Sequence, residues 1–166
     1  LIIIASFFTI SCMAQKTDNT PVGEFNLQRY LGNWYEIARM NHSFEKGISH
    51  AQANYTLHGD GSILVVNSGI KKGKVKVSQG KAKLTDTVGV LRVSFFGPFY
   101  SDYRVLMVDP DYQYALVGSR KDKYLWILSR TPVLSDTVLC EILREAGDRG
   151  YRTDGLIWVE HDPIDL

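Results

Sequence analysis

Four histidines, at positions 42, 50, 58 and 161, and two cysteines, at 12 and 140, are the side chains with which this chain would hold a metal or mount a nucleophile. Their spacing supports neither. Zinc sites draw their ligands in short-spaced pairs, whereas His42 and His50 flank a predicted loop and His58 precedes a turn. No Ser or Cys sits in a nucleophile elbow, and no Gly-rich loop leads into a helix to cradle phosphate. Cys140 is the one plausible nucleophile, and its helical surroundings place it on an outer face away from any interior. Two distant cysteines also make no disulfide framework. The expected chemistry is therefore binding, with no metal, no cofactor and no catalysis.

Cys12 suggests a covalent modification. Leu1 to Ser11 reads LIIIASFFTIS, uncharged and mostly apolar, and too short for a bilayer span, which needs about 20 residues. Its length fits the apolar centre of a signal peptide with Ser11 at the cleavage position; a buried first strand is the alternative. Thr9-Ile10-Ser11-Cys12 resembles a bacterial lipobox, whose cysteine receives a diacylglyceryl group and becomes the mature N-terminus, although Thr9 replaces the usual Leu. Two or more acyl chains on one residue anchor stably where one is marginal. The expected division is a signal-peptide remnant over 1–11, a lipid-anchored tether over 12–22 and one domain over 23–166. Met13 in place of Asp favours the outer membrane of a two-membrane bacterium.

The chain has 166 residues, 45% hydrophobic and 22% charged, with 19 Lys+Arg against 18 Asp+Glu. That size holds a single core, and the composition is too apolar for a disordered chain. A net charge of +1 without a basic stripe excludes a surface built to neutralise a run of phosphates, so nucleic acid is not an expected partner.

From Trp34 onward, short apolar or alternating runs restart between Gly, Asp, Asn and Pro residues. This is the pattern of antiparallel strands with tight turns. Eight runs are predicted, over about 34–41, 50–58, 62–69, 74–85, 89–96, 102–109, 112–119 and 123–130. Ala51, Ala53, Tyr55 and Leu57 share one face against Gln52, Asn54 and Thr56, so one face is buried and one wet. Gly59-Asp60-Gly61 and Asp109-Pro110-Asp111 supply reversals. Eight next-neighbour strands remove their edges by closing into an all-β up-and-down barrel, wide enough for side chains or one small ligand. After Thr131-Pro132, Ser135 caps a helix with Val138, Leu139, Ile142, Leu143 and Ala146 on one stripe, packed outside the barrel and ended by Gly147 and Gly150. Residues 156–159 form a short final strand.

Three motifs now carry a family resemblance. Gly32-Asn33-Trp34-Tyr35 opens the first strand, Met107 to Val117 spans the sixth-to-seventh turn, and Trp126-Ile127-Leu128-Ser129-Arg130-Thr131-Pro132 closes the eighth. In this order they resemble the three signatures of the lipocalins. The second departs from the common form, with Val108 in place of Thr and a longer turn, so Asp109 and Tyr112 carry over loosely. His42-Ser43-Phe44-Glu45 and Val93-Ser94-Phe95-Phe96-Gly97-Pro98-Phe99-Tyr100 are similar to the bacterial outer-membrane lipoprotein members. The resemblance implies an eight-stranded calyx with one open end, a lipid anchor at Cys12, and binding of fatty acids or lysophospholipids connected with membrane maintenance or stress.

Physical roles follow for the motif residues. Trp34 is expected to plug the closed end with Arg130 laid across its indole, a cation–π contact of about 0.5–2 kcal/mol. Gly32 would let the chain cross the barrel floor closely, and Tyr35 belongs to the same structural motif. If Arg130 points inward, period-2 alternation sends Leu128 and Trp126 inward too, and Trp126 is the first choice for a ligand contact. The same parity offers Glu36 and Ala38, Ala53 and Tyr55, Leu91, Val93 and Phe95, and Tyr103 and Val105. Arg39 replaces Glu36 as head-group partner if the parity slips by one. Small residues at Ala38, Ala51 and Ala53 favour a cavity. Loops 42–49 and 97–101 would gate it, with Phe44, Phe99 and Tyr100 as an apolar lip. The competing readings are a fully packed barrel that presents loops at a membrane, and a homodimer compatible with either. Matches to glycosylation acceptors at Asn41 and Asn54 are read as chance.

Overall fold

The eight alternating runs become eight antiparallel strands in the computed structural model, which describes residues 16–162. The signal-peptide and Cys12 expectations lie outside the described residues. A short helix α1 (Leu27–Tyr30) precedes β1 (Gly32–Arg39), β2 (Ile48–Leu57), β3 (Ile63–Lys71), β4 (Lys74–Leu84), β5 (Val90–Phe96), β6 (Phe99–Val108), β7 (Tyr114–Gly118) and β8 (Leu125–Ser129). Helix α2 (Asp136–Asp148) and β9 (Ile157–Trp158) follow. Each strand pairs with the next, and β1 closes the wall by pairing with both β2 and β8. Because all ladders are antiparallel, the loops at 40–47, 72–73, 97–98 and 119–124 gather at one end. Helix α1 and the other turns gather at the opposite end.

Closure is not uniform along β1. Its first residues pair with β2 from Gly32↔Tyr55 to Tyr35↔Gln52. Above that level β2 bends away at an irregularity between Ser49 and Gln52, where His50 adopts φ 53°. The C-terminal segment takes over the vacated edge. Ala38 and Arg39 pair with Trp158 and Ile157, the Val159 amide donates to Ile37 O, and the His50 amide donates to Glu160 O.

The ladder of β1 with β8 shifts register between Glu36 and Ala38. This β-bulge gives one extra residue, Ile37, so the inward set changes parity above it. Trp34 and Glu36 face the lumen below the bulge, and Arg39 faces it above, opposite the inward Trp126. Ala38 is therefore not a lumen residue, contrary to the parity expectation. It is fully buried on the outside, packed with Ile127, Ile142 and Leu156 beneath α2.

Helix α2 starts as the sequence predicts. Ser135 caps it by accepting from the Val138 amide, and Ile142 and Ala146 are its fully buried residues. Cys140 is a free, exposed thiol. At the N-terminus the tether expected over 12–22 is fixed from Asp18 onward: the Asp18 amide donates to Arg149 O and the Val22 amide to Val105 O. The strap runs down the outer wall and turns into α1 across the barrel floor. Gly32 is required there by its conformation, φ +93°, rather than by crowding, since a Cβ would lie 3.6 Å from Arg130 Nη1.

The outer core gives a direct test. Ile142→Ala should cost about 2–4 kcal/mol by the cavity it leaves, whereas Cys140→Ser on the exposed flank should stay within about 0.5 kcal/mol of the parent. Thermal or denaturant unfolding followed by circular dichroism measures both.

Candidate functional site

The lumen is best built from its floor. The Trp34 indole is fully buried, and its Nε1 donates to Tyr30 O at 2.8 Å. The Arg130 guanidinium lies 3.8 Å above the indole ring and spends its donors on backbone oxygens: Nη1 on Asn33, Nη2 on Arg29 and Nε on Tyr112. Tyr112 sits at φ 59° in the β6–β7 turn, which Asp109 orders by accepting from the Asp111 and Gln113 amides. The motif residues thus lock the closed end.

Above Trp34, three phenols join across the barrel. Tyr30 and Tyr103 hydroxyls lie 2.5 Å apart, and Tyr55 donates to Tyr103 at 3.0 Å. Burial pushes all three well up, Tyr55 to about 12, so the trio stays neutral. Together with Ile63, Leu91 and Val105 these rings fill the lower half of the barrel.

The upper half differs. Ala53, Val93, Phe95 and Trp126 all face the interior cluster yet keep partial solvent access, as does Tyr103 at the upper edge of the phenol trio, so the lumen is open above these rings. Gly80 is needed where the Phe95 ring crosses β4, because a Cβ there would stand 2.8 Å from that ring and 2.6 Å from Ser94 O. Of the residues singled out from sequence, Trp126, Glu36, Ala53, Tyr55, Leu91, Val93, Phe95, Tyr103 and Val105 all line the lumen. Tyr55, Tyr103, Leu91 and Val105 belong to its packed lower half, and Ala38 lies outside.

At the mouth, charge replaces apolar wall. Arg39 is 1% exposed and Glu36 7%. Arg39 Nη1 donates to Glu36 Oε1 at 2.6 Å, and Nη2 donates to Glu45 O and Ile48 O. Glu45 belongs to a 3-10 turn, Ser43–Glu45, that folds into the opening. Trp126 Nε1 donates to Glu45 Oε2 at 3.1 Å, and His42 Nε2 lies 2.9 Å from the same oxygen. His42 stacks on Phe44 at 3.9 Å, and Trp126 lies parallel to Tyr124.

The two carboxyls respond in opposite directions. Burial, then the neighbouring Glu45 charge, raises Glu36 to about 8 despite the Arg39 contact. Burial also opposes ionisation of Glu45, but bonds from His42 and Trp126 and the Arg39 charge outweigh it and hold Glu45 below the usual range. At neutral pH the mouth therefore carries protonated Glu36, ionised Glu45 and cationic Arg39. Sequence parity allowed either Glu36 or Arg39; the bulge turns both inward. From sequence, His42 enters only as a rejected metal ligand and within the motif His42-Ser43-Phe44-Glu45 of a gating loop; neither His42 nor Glu45 gains a role at the mouth, because no periodic signal marks a short 3-10 turn. Among the described residues no group of His, Cys, Asp and Glu is arranged to hold a metal ion.

Comparisons with known proteins agree with this geometry. Residues 25–161 match the family described as a lipocalin-like domain. The chain is 42% identical over 164 residues to an outer membrane lipoprotein Blc of Vibrio cholerae, covering 96% of each. It is 43% identical to that of Escherichia coli K12, covering 94% of this chain and 92% of the relative. It is 37% identical to temperature-induced lipocalin-1 of Arabidopsis thaliana, covering 84% and 81%. Among solved structures, insecticyanin from Manduca sexta superposes with a TM-score of 0.74 at 25% identity, covering 87% of this chain and 85% of that one.

The Glu36 environment makes stability depend on pH. Between about 4.5 and 8 the unfolded chain has lost this proton while the folded barrel keeps it. Stability should therefore fall as pH rises through that window, by at most about 1.4 kcal/mol per unit. Denaturant titrations of the parent and Glu36→Gln should show this slope in the parent and lose it in the variant. Equal slopes would place the proton elsewhere.

Proposed function

Because the chain belongs to the lipocalin family, we propose that it is a lipid-anchored bacterial lipocalin that holds a fatty acid or lysophospholipid in the upper half of its barrel and carries out no chemistry on it. The observation that supports this most is the contrast along the lumen: a packed tyrosine floor, an open apolar wall of Ala53, Val93, Phe95 and Trp126, and a charged mouth. An acyl chain matches that gradient. Burying about 14–16 methylenes is worth roughly 11–13 kcal/mol gross at about 0.8 per CH₂, from which ordering takes several kcal/mol back. A micromolar dissociation constant follows without a dedicated clamp.

The mouth would read the head group. Arg39 and the Trp126 N–H face an anionic group entering the opening, but Glu45 already occupies the Trp126 donor. A ligand carboxylate or phosphate must displace or outcompete it. The anchor at Cys12, the 12–22 tether and the outer-membrane location are part of the same proposal, supported by the lipobox-like Thr9-Ile10-Ser11-Cys12 and by relatives named as outer membrane lipoproteins.

The chain from Met13 onward, titrated with a long-chain fatty acid and a lysophospholipid, should give a saturable change in tryptophan fluorescence at micromolar ligand. Trp126→Phe should reduce the signal, and Ala53→Phe should weaken binding at least about tenfold by filling the lumen. No response to either lipid would favour the packed barrel that presents loops.

The competition at the mouth has its own signature. Glu45→Gln should tighten fatty-acid binding about tenfold near neutral pH, equivalent to about 1.4 kcal/mol, while leaving an uncharged acyl ester unchanged. Weaker fatty-acid binding would mean that Glu45 supports the head group instead of competing with it.

A further inference from the structure

We propose that the open rim of the barrel is a docking surface for an anionic lipid bilayer, so that the mouth faces the membrane. The inference does not depend on what the lumen holds. It rests on charge, apolar exposure and the path of the N-terminal strap, three observations that coincide at one end of the barrel.

The chain's net charge of +1 conceals a partition between the two ends. The β3–β4 hairpin carries Lys71 and Lys72 at its tip and Lys74 and Lys76 just below, the latter two exposed on β4. Lys46 is exposed on the β1–β2 loop, and Lys121 and Lys123 on the β7–β8 loop; against them Asp122 is exposed on the same loop, Asp154 pairs with Arg152 just before β9, and Glu160 lies beside His50. Glu45 is committed inside the mouth. The opposite end has the reverse sign: its turns expose Asp60, Asp86 and Asp111, while Arg29 pairs with Asp111 and Arg130 is spent on the floor. Such a dipolar barrel presents its rim, not its floor, to a negative surface.

Apolar side chains share that rim. Phe96 and Phe99, opposite each other at the β5–β6 tip, are each 79% exposed, and Val75 and Val77 on the outer side of the β3–β4 hairpin are 73% and 61% exposed. Phe44 adds the β1–β2 loop. Basic side chains beside exposed apolar ones fit a bilayer interface, where the cations meet lipid phosphates and the apolar groups enter the acyl boundary.

Lysines also deter pairing on an open strand edge. β4 has such an edge, because its ladder with β5 begins only at Lys81. That role accounts for Lys74 and Lys76 on β4, but not for Lys46, Lys121 and Lys123 on other loops of the same end.

The strap gives the third observation. Lys16 and Thr17 lie against Arg120, Lys121, Asp122 and Lys123, lining a common hollow of about 360 Å³, and Asn19 donates to Arg120 O. The chain then runs from this rim down to the floor. Lys16, the first described residue, therefore lies at the open end. An extended chain spans roughly 3.3–3.6 Å per residue, so a lipid attached four residues before Lys16 would hold the rim, not the floor, at the membrane.

The test uses the chain from Met13 onward, which keeps every described strand and helix and lacks the apolar Leu1–Ser11 that would itself bind bilayers. Cosedimentation with phosphatidylglycerol/phosphatidylcholine vesicles should show binding that weakens with salt, and pure phosphatidylcholine should bind far less. The quadruple variant Lys71→Glu, Lys72→Glu, Lys74→Glu and Lys76→Glu should lose about 100-fold in partitioning, and Val75→Ser with Val77→Ser should lose several-fold. Asp60→Lys with Asp86→Lys at the floor should change little. Circular dichroism and thermal unfolding confirm that each variant keeps its barrel. Absence of binding to the anionic vesicles, equal binding to both vesicle types, or no loss in the folded lysine variant would overturn the proposal.

Discussion

A guanidinium sealed in an apolar barrel needs hydrogen-bond acceptors and a counter-charge close by, and the way Arg39 finds its acceptors in Glu36 and the β1–β2 loop and its counter-charge in Glu45 organises the whole open half. The bulge at Ile37 brings Arg39 round to the same side as Glu36, so one carboxyl oxygen lies within 2.6 Å. That contact leaves the other arm of the guanidinium unsatisfied. The β1–β2 loop folds in to meet it with the carbonyls of Glu45 and Ile48. Bringing Glu45 inward places its carboxylate on Trp126 and beside His42. One buried cation thus fixes the bulge, the loop and the tryptophan that faces the lumen.

The closed end solves a related problem differently. Arg130 remains partly exposed, covers the Trp34 ring and donates to three backbone oxygens instead of a carboxylate. Backbone acceptors carry no net charge and do not titrate in the neutral range. The floor is consequently indifferent to pH, while the mouth contains two carboxyls whose proton affinities diverge. A barrel so arranged has a rigid base and a chemically responsive opening.

The sequence conveyed the repeating part of this structure and missed its exceptions. Eight strands, the outer helix and the Trp34–Arg130 pair were legible because alternation, capping and spaced motifs have defined periods. Ala38 was misplaced because a bulge inserts one residue without changing composition, and a period-2 argument carries the error to every later position on that strand. Glu45 was not singled out because a three-residue turn has no periodicity. The strap from Asp18 to Val22 reads as a polar tether, yet backbone hydrogen bonds hold it, and backbone atoms leave no mark in side-chain pattern. Gly32 was expected for close packing and is required by its positive φ.

The way β1 is completed has a consequence for how the protein folds. Its upper part is paired by β8 on one edge and by residues 157–159 on the other, so the contacts that close the barrel join segments about a hundred residues apart. Local hairpins from β2 to β6 need only short loops and can form early, but the circle cannot close until β8 and residues 157–160 reach β1 and β2. Until the last strand arrives, Glu36 and Arg39 have an incomplete wall above them and the lumen stands open along one side. The barrel is therefore sealed last along β1, and residues 157–160 act as the stave that lets it hold.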